Sequence, residues 1–476
     1  MGGLEISELM LSEVLKDNEK FRFDPEYFKK EYLEEIDKLK KFGYSNIKDM
    51  AFVTDGIHES IDFDKNSNIN LISAKSPKEN IFDLSNNDYI SSQQHIKNPR
   101  TELQKDDVII STVGTIGNCA VVDKTILPAN SDRHVGIVRL TNGFKPYVLS
   151  TFLLSKYGRF QTFRESTGNV QLNLFIYKIK TLKIPNFSDT FQIQVEQLVK
   201  LAHKKLANSK ILYEKAENLL LKELDLLDFE PTKENISIKS FSESFGISGR
   251  IDSEYYLPKY DEIDKKFEKY EKIKLNKLVT YSISSGATPK AGGDAYTDKE
   301  NGIPFIRAVN IIDSKVEFDN ALYVKEHIHN KKLKKTKLKE NDVLFSIAGT
   351  VGRCGISYYK KEANINQAVA ILRFDDKIIK RLYLILFFNS EIGKLYISKY
   401  SRQGLQTNLN LNEIGNLEIP IIDYALQTQI ENKIKESFRL KEESKELLEL
   451  AKRGVEVAIE EGEDVAMEFI GDIKNG

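Results

Sequence analysis

Residues 331–339 hold six lysines (Lys331, Lys332, Lys334, Lys335, Lys337 and Lys339) inside the stretch HIHNKKLKKTKLKEND that begins at His327. Ammonium groups at that density suit the neutralisation of a polyanion such as a phosphate backbone. The chain as a whole is not basic, since 70 Lys+Arg stand against 71 Asp+Glu, so any such grip must be local. A sparser stretch, HIKNPRTELQKDD from His95, carries Lys97, Arg100 and Lys105. Charge runs are more often solvated faces, and that reading stands beside the functional one. Two segments rich in side-chain amides, STGNVQLN at 166–173 and SRQGLQTNLN at 401–410, offer complementary chemistry. Lysines match phosphates, whereas amides and guanidinium groups match base edges.

Other chemistries find less support. The chain has no G-x-x-x-x-G-K-[ST] loop, no G-x-G-x-x-G after a strand, and no Asn/Asp-Pro-Pro-aromatic tetrapeptide. Its six histidines (58, 95, 134, 203, 327 and 329) never fall as a metal pair at helical spacing, and His327 and His329 read as surface residues of a basic loop. Cys119 and Cys354 read as core positions, with neither a disulfide framework nor metal-ligand spacing. Each cysteine closes a matched segment, DVIISTVGTIGNC or DVLFSIAGTVGRC. A Gly-Thr-x-Gly turn could present N–H groups to a phosphate. The flanks are β-rich on both sides and no lysine follows, so a tight strand-turn-strand is expected. Together these features favour binding over catalysis. No apolar run approaches the ~20 residues that span a bilayer, and the segment from Leu4 to Leu15 is too broken by acids and serines for a leader. A cytoplasmic protein with no membrane partner is expected.

These residues are positioned by a duplication. RFDPEYFKKEY at 22–32 returns as RIDSEYYLPKY at 250–260, and the Gly-Thr-x-Gly segment returns 235 residues later. ANSDRHVGIVRL from Ala129 answers ANINQAVAILRF from Ala363, and QIQVEQLV from Gln192 answers QTQIENKI from Gln427. Ordered blocks at a near-constant offset define a tandem repeat of about 230 residues. Each copy has short β-branched runs punctuated by Gly, Asn and Pro, followed by a long amphipathic helix. The first helix is expected from Phe191 to about Leu227, with Val195, Val199, Ala202, Leu206, Leu212, Ala216 and Leu220 on its stripe. The second is expected from about Ala425 to Ala458, with Ile430, Ile434, Phe438, Leu448, Ala451 and Val455. Some 35 helical residues make a rod of roughly 50 Å, whose stripe is covered either by the other helix or by its own domain. The expected fold is α+β: a tandem pseudo-twofold repeat of two β-rich domains separated by two long antiparallel, coiled-coil-like helices. The expected divisions are 1–35 (helical), 36–187, 188–230 (first long helix), 231–270 (linker and start of the second repeat), 271–422, and 423–476 (second long helix, with a frayed acidic tail from Glu460).

The ordered motifs resemble the specificity subunit of type I restriction-modification systems over nearly the whole chain. SSGATPKAGGDAYTDKENGIPFIRAVNI (284–311) is similar to the opening of that family's target-recognition domain, and LKKTKLKENDVLFSIAGTVGRCGI to its basic segment, strand and turn. NINQAVAILR and GLQTNLNLNEIGNLEIPI follow in the family's order. Asp106 and Asn341 stand where the family usually has Gly, and the first copy has TDGIHES at 54–60 in place of the Thr-Pro signature. The resemblance implies a non-catalytic DNA-binding chain that reads a gapped, asymmetric, bipartite site, one half per target-recognition domain, with helix length setting the gap. It implies double-stranded DNA, two DNA-methyltransferase subunits and motor-nuclease subunits as partners. No cofactor is implied in this chain; S-adenosylmethionine and ATP with magnesium would sit on the partners. Two rivals remain: the specificity chain of a fused restriction-methylation enzyme, and a stand-alone DNA-binding protein. Within the resemblance, Lys332, Lys334, Lys335 and Lys337 are expected on phosphates, and Lys331, with Lys97, Arg100 and Lys105 of the first copy, belongs to the DNA-binding set. Lys290, Gln403, Gln406 and Asn408 are expected on bases in the second domain, and His58, Arg133, Asn169 and Gln171 in the first. Thr288, Arg307 and Arg402 complete the DNA-binding set.

Overall fold

Blocks that recur in the sequence fold into the same elements. The computed structural model describes residues 8–15, 22–168, 171–290, 293–401 and 408–475. It divides into two units, residues 1–207 with 440–476 and residues 208–439.

The first unit is built on an antiparallel sheet in the order Ala51–Asp55, Val135–Leu140, Val108–Ser111, Cys119–Val121. Val108 and Ile110 face one apolar cluster, which includes Phe152 and Leu153 of the helix Pro146–Leu154, and Ile109 faces another with Ile72 and Ile137. A strand covered on both faces reads as an unbroken apolar run, which is why "DVIIS" shows no alternation. A smaller sheet, Asp88–Ile90, Ile69–Ile72 and Ala129–Ser131, supplies the second cover. The second unit repeats the plan. Ser284–Ser285, Val369–Leu372, Val343–Ser346 and Cys354–Ile356 are extended by Lys315–Val316 and Ile311–Ile312 into six strands. Val343 and Phe345 face one cluster there and Leu344 the other. Its second sheet runs Tyr296–Thr297, Leu322–Val324, Ile303–Ile306, Asn364–Ile365.

The Gly-Thr-x-Gly turns close the central hairpins, pairing Ile110 with Cys119 and Phe345 with Cys354. Gly117 N donates to Ser111 O at 3.0 Å and Gly352 N to Ser346 O at 2.9 Å, so these amides serve the turn itself. Both glycines have positive φ, 78° and 91°. A Cβ at Gly117 would lie 2.7 Å from Thr162 Oγ1, and one at Gly352 2.9 Å from Ile397 Cδ1. Asp106 and Asn341 have φ of 71° and 67°. The position demands the left-handed region, and Asp and Asn are the side chains that tolerate it best after Gly. Cys119 and Cys354 are fully buried, and burial pushes both thiols well above their ordinary range.

The long helices are Asp189–Glu223 and Tyr424–Glu461. Each is fixed at its start by a buried glutamine. Gln192 Oε1 accepts from Lys145 N and its Nε2 donates to Phe187 O; Gln427 does the same with Lys380 N and Ile422 O, all at 2.9 Å. In the first unit Val195, Leu198 and Val199 share a core with Leu450, Ala451, Val455 and Ala458. In the second, Ala216 and Leu220 share one with Ile430 and Ile434. The partners run in opposite chain directions: Lys205 Nζ meets Glu443 Oε2 at 2.5 Å, and Ser209 and Ser437 each donate a hydroxyl to the other's carbonyl at 2.7 Å. Both coverings considered for the stripes are used, since each helix packs on its twin and on a domain core.

Two expectations need correction. The tail is not frayed: after Gly462 (φ 103°) a helix Glu463–Asn475 buries Ala466 and Ile470 in the first unit's core. Glu463 accepts from Ser188 N at 2.8 Å and from its hydroxyl, just ahead of the first long helix. The 231–270 region, expected as linker and start of the second repeat, includes the helix Pro258–Phe267, which buries Ile263 and Phe267 in the second unit's core. The helix Lys30–Phe42 runs across the boundary placed at 35/36. Otherwise the α+β repeat, with two β-rich domains and a long helix between them in the chain, is as the sequence leads one to expect.

Candidate nucleic-acid interface

In the first unit three strands of the central sheet end together, with Asp55 opposite Gly136 and Ser111 opposite Val135. The chain beyond them converges. Thr112 N donates to His134 O at 3.0 Å, Leu174 N donates to Thr112 O at 2.9 Å, and Val113 bridges to Asn173. The amide segment is thus bonded to the stretch entering Gly114, where an added Cβ would meet nothing within 4 Å. Gln171 and Arg133 are exposed there, and Arg133 Nε lies 3.4 Å from His134 Nε2. Ile57 bridges to Asp132. The approach is so close that a Cβ on Gly56 would fall 2.1 Å from Asp132 O. His58 follows, its Nε2 2.6 Å from Asp55 Oδ2.

Arg100, Lys97 and Lys105 are engaged within this unit. Arg100 donates to Asp55 Oδ1 at 2.9 Å, to the carbonyls of Asp55 and Gly56 at 3.0 and 3.1 Å, and to the Thr54 hydroxyl. Burial works against the Asp55 charge, but bonds from His58 and Arg100 hold its carboxyl below the ordinary value. Lys97 Nζ is 2.7 Å from Glu59, and Lys105 Nζ is 3.3 Å from Asp106. Such exposed pairs contribute little to stability, so a phosphate can replace the carboxylate at small cost.

The second unit presents the same end of the same sheet with different side chains. Ser285 pairs with Ala370 as Asp55 does with Gly136. A Cβ on Gly286 would fall 1.9 Å from Ile365 O, the counterpart of Gly56. Counting from these glycines, Thr288 occupies the place of His58. Thr288 and Lys290 are exposed. Leu409 N donates to Ile347 O at 3.0 Å and Ala348 bridges to Asn408, repeating the amide-to-turn contact. Arg307 follows Ile306, whose carbonyl accepts from Asn366 N at 2.9 Å. Arg307 is half-buried, and its Nε is buried with no hydrogen-bond partner.

Lys331, Lys332, Lys334 and Lys335 are exposed and form no ion pair among the described residues. Lys337 differs: it is half-buried, bonded to Asn330 Oδ1 at 2.5 Å and Glu362 Oε1 at 3.2 Å. The basic segment is a loop only in part, since Glu326–Asn330 is a helix and Lys334–Thr336 a 3-10 turn. His329 is not a surface residue; it is fully buried in that helix. Asn169, Arg402, Gln403 and Gln406 lie outside the described residues. The sequence reading passed over Asp55, Asp132 and Asn366, which share the sheet end. A signal was available: ANSDRHVGIVRL and ANINQAVAILRF agree at their flanks and diverge between, with Asp132 against Asn366 and Arg133 against Gln367.

The two units thus present one sheet end twice, common in backbone and divergent in side chains. Residues 267–450 match the family model of the type I restriction modification DNA specificity domain. The specificity subunit of the type I restriction enzyme EcoBI from Escherichia coli is 28% identical over 141 residues, 30% of this chain and 30% of that protein. Among solved structures, the type I restriction-modification S subunit from M. genitalium aligns with TM-score 0.40 and 13% identity over 90% of this chain and 95% of that one. The HsdS subunit from Thermoanaerobacter tengcongensis aligns with TM-score 0.28 and 14% identity over 88% of this chain and 97% of that one. The resemblance to type I specificity subunits stands. Among the described residues no helix is long and apolar enough to cross a membrane.

Proposed function

We propose that the chain is the specificity subunit of a type I restriction-modification complex, reading a gapped asymmetric DNA site with one half-site per unit. One observation carries this: the two units hold the same sheet end, with His58, Asp55 and Asp132 in one and Thr288, Ser285 and Asn366 in the other. Matched backbones put the side chains at matched places on a duplex, and different side chains select different bases. Lys331, Lys332, Lys334 and Lys335 hold phosphates, while Gln171, Arg133, Lys290 and Asn408 face the bases. The chain supplies no catalytic group in this reading. Two methyltransferase subunits bring S-adenosylmethionine, and motor-nuclease subunits bring ATP and magnesium.

Mapping methylated bases in the host genome with and without this gene tests the proposal. Loss of one gapped motif, both halves together, is expected; an unchanged methylome overturns it. Replacing the four exposed lysines by alanine should weaken binding to every duplex. The slope of log K against log salt should fall by up to about 4, since each phosphate contact contributes about 0.9. An unaltered slope removes these lysines from the DNA.

A further inference from the structure

A hydrogen-bond network recurs beneath both basic segments, fully buried in the second unit and partly buried in the first, and no DNA contact proposed above uses it. In the second unit His329 Nδ1 lies 3.1 Å from Asn364 Nδ2. That amide nitrogen also donates to Leu333 O at 3.0 Å, and Asn364 Oδ1 accepts from Thr336 Oγ1 at 2.6 Å. The carbonyl of Leu333 fixes which end of the amide is nitrogen, so the imidazole Nδ1 must accept. In the first unit the same residue types stand at His95, Asn130 and Thr101. Asn130 Nδ2 donates to Asn98 O at 3.1 Å and Thr101 Oγ1 at 2.8 Å, which leaves Oδ1 facing His95 Nδ1 at 2.5 Å. There the imidazole must donate. The two networks share their residues and differ in polarity.

We propose that His329 is the positioning residue of the second unit's lysine segment and that it acts only while its Nδ1 carries no proton, whereas His95 holds Asn130 through a proton on its Nδ1. The inference rests on the DNA-binding reading above. His329, Leu333 and Thr336 alternate along the chain with Lys331, Lys332, Lys334 and Lys335, so the network fixes the backbone that presents them. A proton on Nδ1 would set an N–H against the Asn364 N–H, and at a fully buried ring neither can turn to water. The charged groups around the ring are few. Glu362 Oε1 stands 3.5 Å from Nε2, which finds no hydrogen-bond partner, and shares its charge with Lys337 at 3.2 Å; Glu326 lies on the same helix. Burial first, then Lys337, pushes the imidazole below its ordinary value, with Glu362 and Glu326 opposing. The unfolded segment therefore takes up a proton that the folded one resists, so its stability falls as pH falls. In the first unit the bond to Asn130 is donated by His95 Nδ1, while Nε2 faces Glu102 Oε1 at 3.9 Å. The direction is diagnostic, because a histidine that merely gained charge beside phosphates would strengthen binding in acid.

The test uses the full chain, a mixed-sequence DNA duplex, and amide hydrogen exchange corrected for intrinsic rates. Between about pH 7.5 and about pH 5.5, exchange protection at 326–339 should fall while that at 92–105 holds, and duplex affinity should drop about tenfold. His329→Asn places an acceptor oxygen near the Nδ1 position and does not titrate; it should keep both protection and affinity at the lower pH. Acid loss that persists in His329→Asn, or wild-type protection that ignores pH, overturns the proposal. Opening of 326–339 with no change in duplex affinity would instead overturn the assignment of these lysines to DNA.

Discussion

Six lysines in nine residues are alike in sequence, yet Lys337 is held by Glu362, a residue 25 positions away that no local pattern reveals. The lysine run was legible as chemistry, while its division into free and engaged members was not. The same distance effect governs Asp342 and Arg373, which meet bidentately at 2.7 and 2.6 Å with the carboxylate almost fully buried, as Asp107 and Arg139 do at 2.8 Å. Arg373→Ala leaves a buried charge unpaired and should destabilise the second unit by about 3–5 kcal/mol, read as a lowered denaturation midpoint for that unit alone. Cys119 and Cys354 should resist alkylation at mildly alkaline pH in the folded chain, since burial holds both thiols protonated. Modification at the rate of the denatured chain would contradict their placement.

At the level of elements, the long helices were readable because their stripes keep one period for about ten turns. The last helix was hidden for the opposite reason. Its acidic opening, EEGED, masks a short stripe in which Ala466 and Ile470 are buried and Met467 and Phe469 pack beside them. Ile470→Ala removes side-chain atoms that pack on Gly454, where an added Cβ would lie 2.7 Å away. A loss of about 2–5 kcal/mol is expected, measured as faster proteolysis or a lower melting temperature of the first unit. If the tail were a solvated end, the substitution would change neither. The helix Glu326–Asn330 was missed because five residues cannot show a period.

For the whole molecule, the tandem repeat foretold two like units, because ordered blocks at one offset require one fold twice. Removing one turn from each long helix should change the gap of the methylated motif and leave both half-site sequences intact. An unaltered gap in the methylome would exclude helix length as its measure. What the repeat could not disclose is that the units divide the chain unequally: 208–439 is continuous, whereas the other unit joins 1–207 to 440–476. Synthesis runs from the first residue onward, and domains fold as their segments emerge. Residues 208–439 are all available while Leu450, Ala451, Val455 and Ala458, which complete the first unit's core, are still unmade. The half translated first is therefore the half that finishes folding last, and its nascent apolar faces must stay uncovered through the making of the other.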